Sequence, residues 1–151
     1  MAITAHTMEY RGGPLHSGLS LENYDSRGYE EYRRIYEDCF YEMRSALGLC
    51  PACCAGKEVL QKRSSQIFLL REQGALAGSV AIYGHEIDDL IVARPFQGKG
   101  YGKQLLQFAV FRLQSAGISP ILLHVAGWNR RALSLYQKCG FTIIQTETIS
   151  G

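Results

Sequence analysis

The sequence predicts an α/β (α+β) domain whose mixed, mostly antiparallel sheet is flanked by helices. Its 151 residues, 46% of them hydrophobic, suit a single globular domain with a sizeable core. Segments with strand and helix periodicity follow one another in the order strand, helices, three strands, helix, strand, helix, strand. From Val92 to Leu106 an apolar strand runs through a glycine-rich turn directly into a helix. Together these observations indicate the mixed sheet.

The predicted domain begins after an N-terminal extension. We assign residues 1–17 to this extension, because the segment M-E-Y-R could form only a short edge strand before Gly12–Pro14 interrupts it. Residues 18–24 alternate between apolar and polar, which predicts the first strand of a single domain spanning residues 18–151.

Two helices are expected next. Asp25 and Ser26 offer a helix cap, and the apolar residues after them recur at spacings of three and four. This pattern predicts a long amphipathic helix that ends at Gly48. Its aromatic residues are interpreted as core, because Tyr and Phe at helical spacing are more often core than ligand contacts. A second, short helix is expected between Gly56 and Ser65.

The middle of the chain predicts an antiparallel meander. Two β-rich runs within residues 67–83, joined through the Glu72–Gly74 turn, are typical of a hairpin. Gly84 then leads into a third strand over residues 86–92. The helix that follows the glycine-rich turn should end at Gly117.

The C-terminal part predicts two more strands around a helix. Residues 120–125 form a short, continuous apolar run, which is typical of a strand buried on both faces. Asn129 stands at the N-cap of the next helix and Gly140 at its end. Phe141 then starts the last strand, which is expected to run through Ile144.

Composition argues against several classes of partner. The formal net charge is +2 and the basic residues are spread along the chain, which argues against nucleic acid. No apolar run approaches the ~18 residues of a membrane span, and the N-terminus lacks a basic segment followed by an apolar one. We therefore expect a cytoplasmic protein that binds neither nucleic acid nor membrane.

The five cysteines show no disulfide framework. Cys50, Cys53 and Cys54 lie in the segment C-P-A-C-C, whose C-x-x-C pair could form half of a zinc site or a redox pair. No second pair supplies the other ligands of a tetrahedral site, and His85 and His124 would serve only if the fold brought them close. Structural thiols without a metal are the favoured interpretation.

The glycine-rich turn is suited to binding phosphate. Gly98, Gly100 and Gly102 alternate with bulkier residues, so backbone N–H groups can converge at the start of a helix without intervening Cβ atoms. The helix dipole attracts an anion, and Lys99 and Lys103 add positive charge.

Spacing separates this turn from two common glycine-rich motifs. A G-x-x-x-x-G-K-[ST] loop would need glycine at Gln97 and a hydroxyl residue at Gln104. The dinucleotide motif G-x-G-x-x-G would need its third glycine at Lys103. The motif that fits is Q-x-x-G-x-G, filled by Gln97, Gly100 and Gly102. The same glycine pattern can also form an ordinary strand-to-helix turn with no ligand. The rest of the chain must decide between a phosphate-binding turn and a purely structural one.

A second motif lies in the last helix. The pattern N-x-x-A-x-x-x-Y-x-x-x-G-F is filled by Asn129, Ala132, Tyr136, Gly140 and Phe141. Seven helical residues turn about 700°, nearly two revolutions, so Asn129 and Tyr136 project to the same side. An amide and a phenol can therefore line one cleft. A capping asparagine and a core tyrosine would explain each residue alone, but their occurrence together after the glycine-rich turn favours function.

With these two motifs the chain resembles the GCN5-related N-acetyltransferase (GNAT) superfamily over roughly residues 18–149. The resemblance implies a GNAT-like fold, splayed at the fourth and fifth strands, that uses acetyl-coenzyme A (acetyl-CoA) as co-substrate. It implies direct transfer of the acetyl group to a primary amine of a small molecule or peptide. After Phe141 the superfamily commonly supplies two strands, whereas this chain has residues for one. The final strand is therefore expected to be missing or to come from a partner subunit in a homodimer.

The resemblance also implies roles for individual residues. Main-chain N–H groups of Leu90, Ile91 and Val92 are expected beside the thioester, freed by a β-bulge near Leu90. Asn129 would orient the pantetheine arm, and Tyr136 would donate a proton to the leaving thiolate. The residues expected to hold the pyrophosphate are Gln97, Gly98, Lys99, Gly100, Tyr101, Gly102 and Lys103.

A base is expected to deprotonate the amine. Glu86, Asp88 and Asp89 precede the turn, and strand alternation places Glu86 and Asp88 on one face with Asp89 on the other. Glu86 stands eleven residues before Gln97, the position of the base in the histone-acetylating branch of the superfamily. Glu86 is therefore the candidate base, with a water chain or a purely structural carboxylate as alternatives.

Two other functions stay open. A catalytically silent acyl-CoA-binding or regulatory module would keep the cofactor site without a working acceptor site. A metal-dependent interaction protein built on Cys50, Cys53 and Cys54 is the weaker rival.

Overall fold

The computed structural model describes residues 2–46, 48 and 54–150. The strands are β1 (Ala2–Tyr10), β2 (Glu22–Asn23), β3 (Ile67–Glu72), β4 (Ala75–Tyr83), β5 (Glu86–Val92), β6 (Leu122–Ala126) and β7 (Phe141–Ser150). The α-helices are α1 (Tyr29–Ala46), α2 (Lys57–Lys62), α3 (Tyr101–Ser115) and α4 (Arg130–Lys138). In this part of the chain the strands form one seven-stranded sheet in the order β2-β3-β4-β5-β6-β1-β7. Neighbouring strands are antiparallel except β5 and β6, so the predicted fold class is confirmed.

The N-terminal strand is the main departure from the sequence prediction. The assignment of residues 1–17 to an extension is wrong for Ala2–Tyr10, which lie between β6 and β7 and pair with both. Met8 of this strand is fully buried in the core. The sheet thus gains a strand from the chain's own N-terminus. Among the described residues a single strand, β7, follows Phe141, as expected, and β1 takes the place beside it, so the sheet needs no strand from a partner subunit.

The segment before α1 is shorter in structure than its pattern predicts. The strand expected over residues 18–24 is reduced to the two residues of β2, paired with β3 at one edge of the sheet. Asp25 does cap a helix, but it caps the 3₁₀ turn Ser26–Gly28 by accepting a hydrogen bond from the Arg27 N–H at 2.8 Å. The long helix α1 and the short helix α2 then follow as predicted.

The predicted meander of β3, β4 and β5 is confirmed. Gln73 and Gly74, between β3 and β4, have φ angles of 52° and 82°. Two successive positive φ values suit a two-residue hairpin turn, because their twist matches that of the flanking strands.

Two apolar clusters cover the two faces of the sheet. One contains Leu105 and its neighbours on α3, and the other contains buried residues of α1 and α2. Strand β3 contributes to both clusters. Phe68 and Leu70 pack in the first cluster, and Ile67 and Leu69 pack in the second. Burial on both faces explains its unbroken apolar sequence.

Strand β6 is buried on one face only, contrary to the sequence prediction. Leu123 and Val125 are buried, whereas His124 between them is exposed. Strands β5 and β6 share a single pair in register, Glu86 with Leu122, and separate beyond it. The predicted splay between these strands is confirmed, and it opens a gap between them.

The last helix and strand follow their sequence signals. Asn129 caps α4 by accepting a hydrogen bond from the Ala132 N–H at 3.2 Å. Gly140, with a φ of 101°, ends the helix, and β7 starts at Phe141. The strand is longer than the sequence indicates and pairs with β1 along its length.

The cysteine segment lies mostly outside the described residues, which include Cys54 but neither Cys50 nor Cys53. Within the described ranges, no cluster of three or more His, Cys, Asp or Glu side chains could hold a metal ion. The helices in those same ranges include none that is both long and apolar enough to span a bilayer.

Candidate active site

A cavity of about 770 Å³ lies where β5 and β6 separate. Its walls come from α1, β5, the glycine-rich turn with the start of α3, β6 and α4. The sequence-predicted residues that line it are Leu90, Ile91, Val92, Gln97, Gly98, Gly100, Tyr101, Gly102, Lys103, Asn129 and Tyr136. Glu86 and Lys99 do not line it, and the Lys99 ammonium lies 5.9 Å from the centre of the Phe96 ring instead.

A β-bulge interrupts β5 at the cavity wall. On either side of Val80 in β4, the partners in β5 are Ile91 and Asp88, so Asp89 and Leu90 together stand opposite one residue. Asp89 has a φ of 48°, a left-handed conformation that few residues other than glycine, asparagine and aspartate adopt. The bulge predicted near Leu90 is therefore confirmed, and it releases backbone groups from the ladder.

The glycine-rich turn supplies backbone donors that have no acceptor. Gly98 and Gly100 have φ angles of 77° and 86°, which favour glycine. Among the described residues, the N–H groups of Gly100, Tyr101, Gly102 and Lys103 meet no hydrogen-bond acceptor. They are the first donors of α3 and lie at the positive end of its dipole. This donor set fits a phosphate group.

Gln97 acts on the turn itself. Its Nε2 donates a hydrogen bond to the carbonyl oxygen of Val92 at 2.9 Å. The thiol of Cys39 on α1 donates to the same oxygen at 3.4 Å. The glutamine of the motif thus ties the turn to the end of β5.

Tyr136 of α4 lines the cavity, and so does Asn129, which caps the start of that helix. Burial, together with the negative charge of Asp88, raises the pKa of Tyr136 to about 12. Its phenol therefore keeps its proton throughout the neutral range. A protonated phenol inside a cavity is suited to act as a general acid.

Asp88 and Asp89 both line the cavity. The alternation that predicts them on opposite faces is overridden by the bulge. The Tyr36 hydroxyl donates a hydrogen bond to Asp89 Oδ1 at 2.9 Å. Burial and the charge of Asp88 nevertheless raise the pKa of Asp89 to about 6. A carboxylate with that pKa can take up and release a proton near neutral pH.

Glu86 lies beside His124 instead of in the cavity. Its Oε1 is 3.4 Å from His124 Nε2, and His124 Nδ1 is 3.1 Å from Thr7 Oγ1. Glu86 stands where β5 and β6 are still paired, and the cavity opens only beyond that point. His124 itself lines the cavity, so Glu86 adjoins the cavity only through His124.

Sequence reasoning leaves the α1 wall unassigned. Tyr36, Phe40 and Arg44 recur every four residues on α1 and line the cavity. The aromatic residues of this helix are interpreted from the sequence as core, and Tyr32 is indeed fully buried. One sequence contains no signal that separates a core-facing aromatic from a cavity-facing one at the same helical spacing.

Comparison with models of known protein families identifies the family of this chain. The model of the acetyltransferase (GNAT) family matches residues 23–141. The chain belongs to the GNAT family. This agrees with the resemblance carried by the turn and by the helix motif, and with the splayed sheet.

Individual relatives differ in how much of their sequence the chain matches. This GNAT chain is 32% identical over 124 residues to the uncharacterized N-acetyltransferase YhdJ of Bacillus subtilis, covering 76% of this chain and 87% of YhdJ. It is 32% identical over 76 residues to mycothiol acetyltransferase of Propionibacterium freudenreichii, covering 50% of this chain and 22% of that protein. The chain thus spans less than a quarter of the length of this relative.

A solved structure supports the GNAT fold independently of close sequence identity. The fold is similar to that of yncA from Salmonella typhimurium, with a TM-score of 0.64 at 16% identity. The match covers 85% of this chain and 82% of yncA, which was solved with its cofactor acetyl-CoA.

Proposed function

We propose that this GNAT chain transfers an acetyl group from acetyl-CoA to a primary amine by direct transfer. The observation that carries the proposal is one cavity that joins an unpaired backbone donor set, a phenol and a carboxylate. The pKa values of about 12 for Tyr136 and about 6 for Asp89 suit an acid and a base that work at neutral pH.

The cavity fits acetyl-CoA as co-substrate, which supplies the activated acetyl thioester. The N–H groups from Gly100 to Lys103 would hold the pyrophosphate, and Gln97 would keep the turn in place. The backbone from Leu90 to Val92 would lie along the pantetheine arm, with Asn129 orienting it. Lys99 lies outside the cavity wall and contributes only positive charge nearby.

Asp89 takes the place of Glu86 as the base in this proposal. Asp89 accepts one proton from the acceptor ammonium and passes it to solvent. The free amine nitrogen then bonds to the acetyl carbonyl carbon while the carbon–sulfur bond breaks. Backbone N–H groups released by the bulge stabilise the negative charge on the carbonyl oxygen. Tyr136 gives its proton to the leaving sulfur and regains the proton that the nitrogen loses, so the products are an acetamide, free CoA and one proton.

The proposal keeps the acceptor range of the sequence analysis, an amine on a small molecule or peptide, and a cytoplasmic location. It includes neither nucleic acid nor membrane as partner. A homodimer is no longer needed to complete the sheet, because β1 lies between β6 and β7.

Binding and turnover test the proposal separately. Isothermal calorimetry should give saturable acetyl-CoA binding in the micromolar range or tighter, and a thiol-release assay should report turnover with amines. Absence of acetyl-CoA binding contradicts the proposal as a whole. Acetyl-CoA binding without thiol release against amines, polyamines and peptides would instead support a silent acyl-CoA-binding module.

A further inference from the structure

The α1 wall of the cavity takes no part in holding acetyl-CoA as proposed above. Tyr36 and Phe40 are one helical turn apart, half-buried, and line the cavity with ring centroids 4.7 Å from each other. The two rings are tilted by 50° to each other and together form one aromatic patch on the cavity wall. Such a surface binds flat apolar groups and also attracts a cation near a ring face.

A pair of carboxylates adjoins this aromatic surface. The Tyr36 hydroxyl is 2.9 Å from Asp89, so one side chain joins the aromatic wall to the acidic pair Asp88 and Asp89. The charge of Asp88 acts on Asp89 and also on Tyr136 across the cavity. The acidic pair thus lies between the α1 wall and the proposed acid. A bound ammonium would relieve the repulsion between the two carboxylates.

The remaining charges of the cavity limit the acceptor to one cation. Arg44, one turn beyond Phe40 on α1, and Arg131 of α4 also line the cavity. A second ammonium on a long acceptor would therefore meet positive charge away from the acidic pair. The charge pattern favours a monoamine over a polyamine.

We infer that the acceptor is a primary monoamine on a short aromatic body, an arylalkylamine. Its ammonium lies at Asp88 and Asp89, and its ring lies against Tyr36 and Phe40. This inference rests on the proposed acetyl transfer and names the acceptor class for the same cavity.

Matched amines test the inference in the thiol-release assay. We expect kcat/KM for 2-phenylethylamine to exceed that for spermidine, and that for a short lysine-containing peptide, by at least tenfold. Replacement of the ring by cyclohexane, in 2-cyclohexylethylamine, should lower kcat/KM because the cation and ring contacts weaken. Higher turnover of spermidine or of the peptide would overturn the inference while leaving acetyl transfer intact.

Variants locate the effect on the α1 wall. Phe40→Leu should lower kcat/KM for 2-phenylethylamine at least fivefold, whereas Phe111→Leu, at a ring that packs on His16 outside the cavity, should change it less than twofold. Tyr36→Leu, which removes the other ring, is the second variant should Phe40→Leu fail to fold, and it should also lower this kcat/KM at least fivefold. Equal effects at Phe40 and Phe111 contradict the placement of the ring.

Equilibrium binding separates failure of the inference from failure of the proposed function. Calorimetry on the protein saturated with CoA should show 2-phenylethylamine binding at least tenfold more tightly than neutral 2-phenylethanol. Asp88→Asn should remove this preference, and the exposed Glu147→Gln should keep it. If acetyl-CoA binds but 2-phenylethylamine does not, the acceptor class is wrong. If acetyl-CoA itself does not bind, the proposed function is wrong.

Discussion

The two walls of the cavity differ in the atoms that form them. The cofactor wall consists largely of backbone: donors at the start of α3, glycines at positive φ and a bulge in β5. The acceptor wall consists of side chains, with Tyr36 on α1 meeting Asp89 from 53 residues away. A backbone site depends on the local sequence of one turn. A side-chain site depends on how distant elements pack, and it can change without altering the turn.

The largest expected effect is on the cofactor wall. Gly100→Val places a β-branched residue at a φ of 86°, which strains the turn and misdirects its N–H groups. We expect acetyl-CoA affinity, measured by calorimetry, to fall at least 100-fold.

A matched control separates the effect of backbone strain from the loss of the N–H donors at the start of α3. Gly74 has a similar φ of 82° but lies in the hairpin turn between β3 and β4. Gly74→Val should destabilise the fold by a similar amount, on the order of 1–3 kcal/mol, with unchanged acetyl-CoA affinity. Equal loss of affinity in both variants would mean that the turn acts through stability alone.

This contrast explains which parts of the site the sequence could predict. Gln97, Gly100 and Gly102 lie within one turn, and Asn129 caps the helix that carries Tyr136, so local geometry is enough to place them. All five line the cavity.

The carboxylates that line the cavity could not be predicted in the same way. A bulge of one residue inverts strand alternation after Asp88, and the separation of β5 from β6 begins only beyond Glu86. The sequence predicts the bulge near Leu90. The effect of the bulge on the carboxylates, however, depends on the face of the sheet on which the cavity opens. That face is decided by the packing of α1 and β6, which the sequence of β5 does not contain.

The N-terminal strand was missed for a related reason. Within β1 the sequence A-I-T-A-H-T-M-E-Y gives a weak period-two pattern, because small and polar residues occupy most of both faces. Its place is fixed by pairing with β6 and β7, which lie more than 110 residues away in the chain. Backbone pairing across that distance leaves no local signal.

The next largest effect concerns the step after binding. Tyr136→Phe removes the proposed acid but keeps the ring that packs on Phe141 at 6.2 Å. We expect kcat to fall about 100-fold while the Kd of acetyl-CoA changes less than threefold. Tyr41→Phe, at an exposed tyrosine outside the cavity, is the control. An unchanged kcat would remove Tyr136 from the mechanism.

A smaller effect is expected on the acceptor wall. Asp89→Asn keeps a side chain that tolerates the φ of 48° and still accepts the Tyr36 hydrogen bond, but it cannot take a proton. We expect kcat/KM to fall about 10-fold to 100-fold. In the wild type, kcat/KM should rise with pH through about 6 as Asp89 loses its proton, and the variant should lack this rise. A rise that persists in the variant would assign the base elsewhere.

The same substitution has a stability consequence of known sign. The folded chain holds the Asp89 proton up to a pKa of about 6, whereas the ordinary value is 3.8. The folded state therefore binds more protons between these values, and the carboxyl's contribution to the free energy of unfolding decreases as pH rises from 3.8 to about 6. Asp89→Asn should remove this decrease and stabilise the protein at pH 7 by up to about 3 kcal/mol, measured by urea unfolding. The gain should be absent at pH 3.5.

The smallest effect is expected at Glu86 and decides between the two carboxylates. The Glu86 and His124 side chains are 40% and 56% exposed, so their contact should contribute less than about 1 kcal/mol. Glu86→Gln keeps a group able to hydrogen-bond His124, and Glu86 does not line the cavity. We expect kcat/KM to fall less than threefold, with the rise through pH 6 intact. If Glu86→Gln abolishes that rise while Asp89→Asn preserves it, the base is Glu86, its proton must travel through His124, and the acceptor must approach from β6 instead of α1.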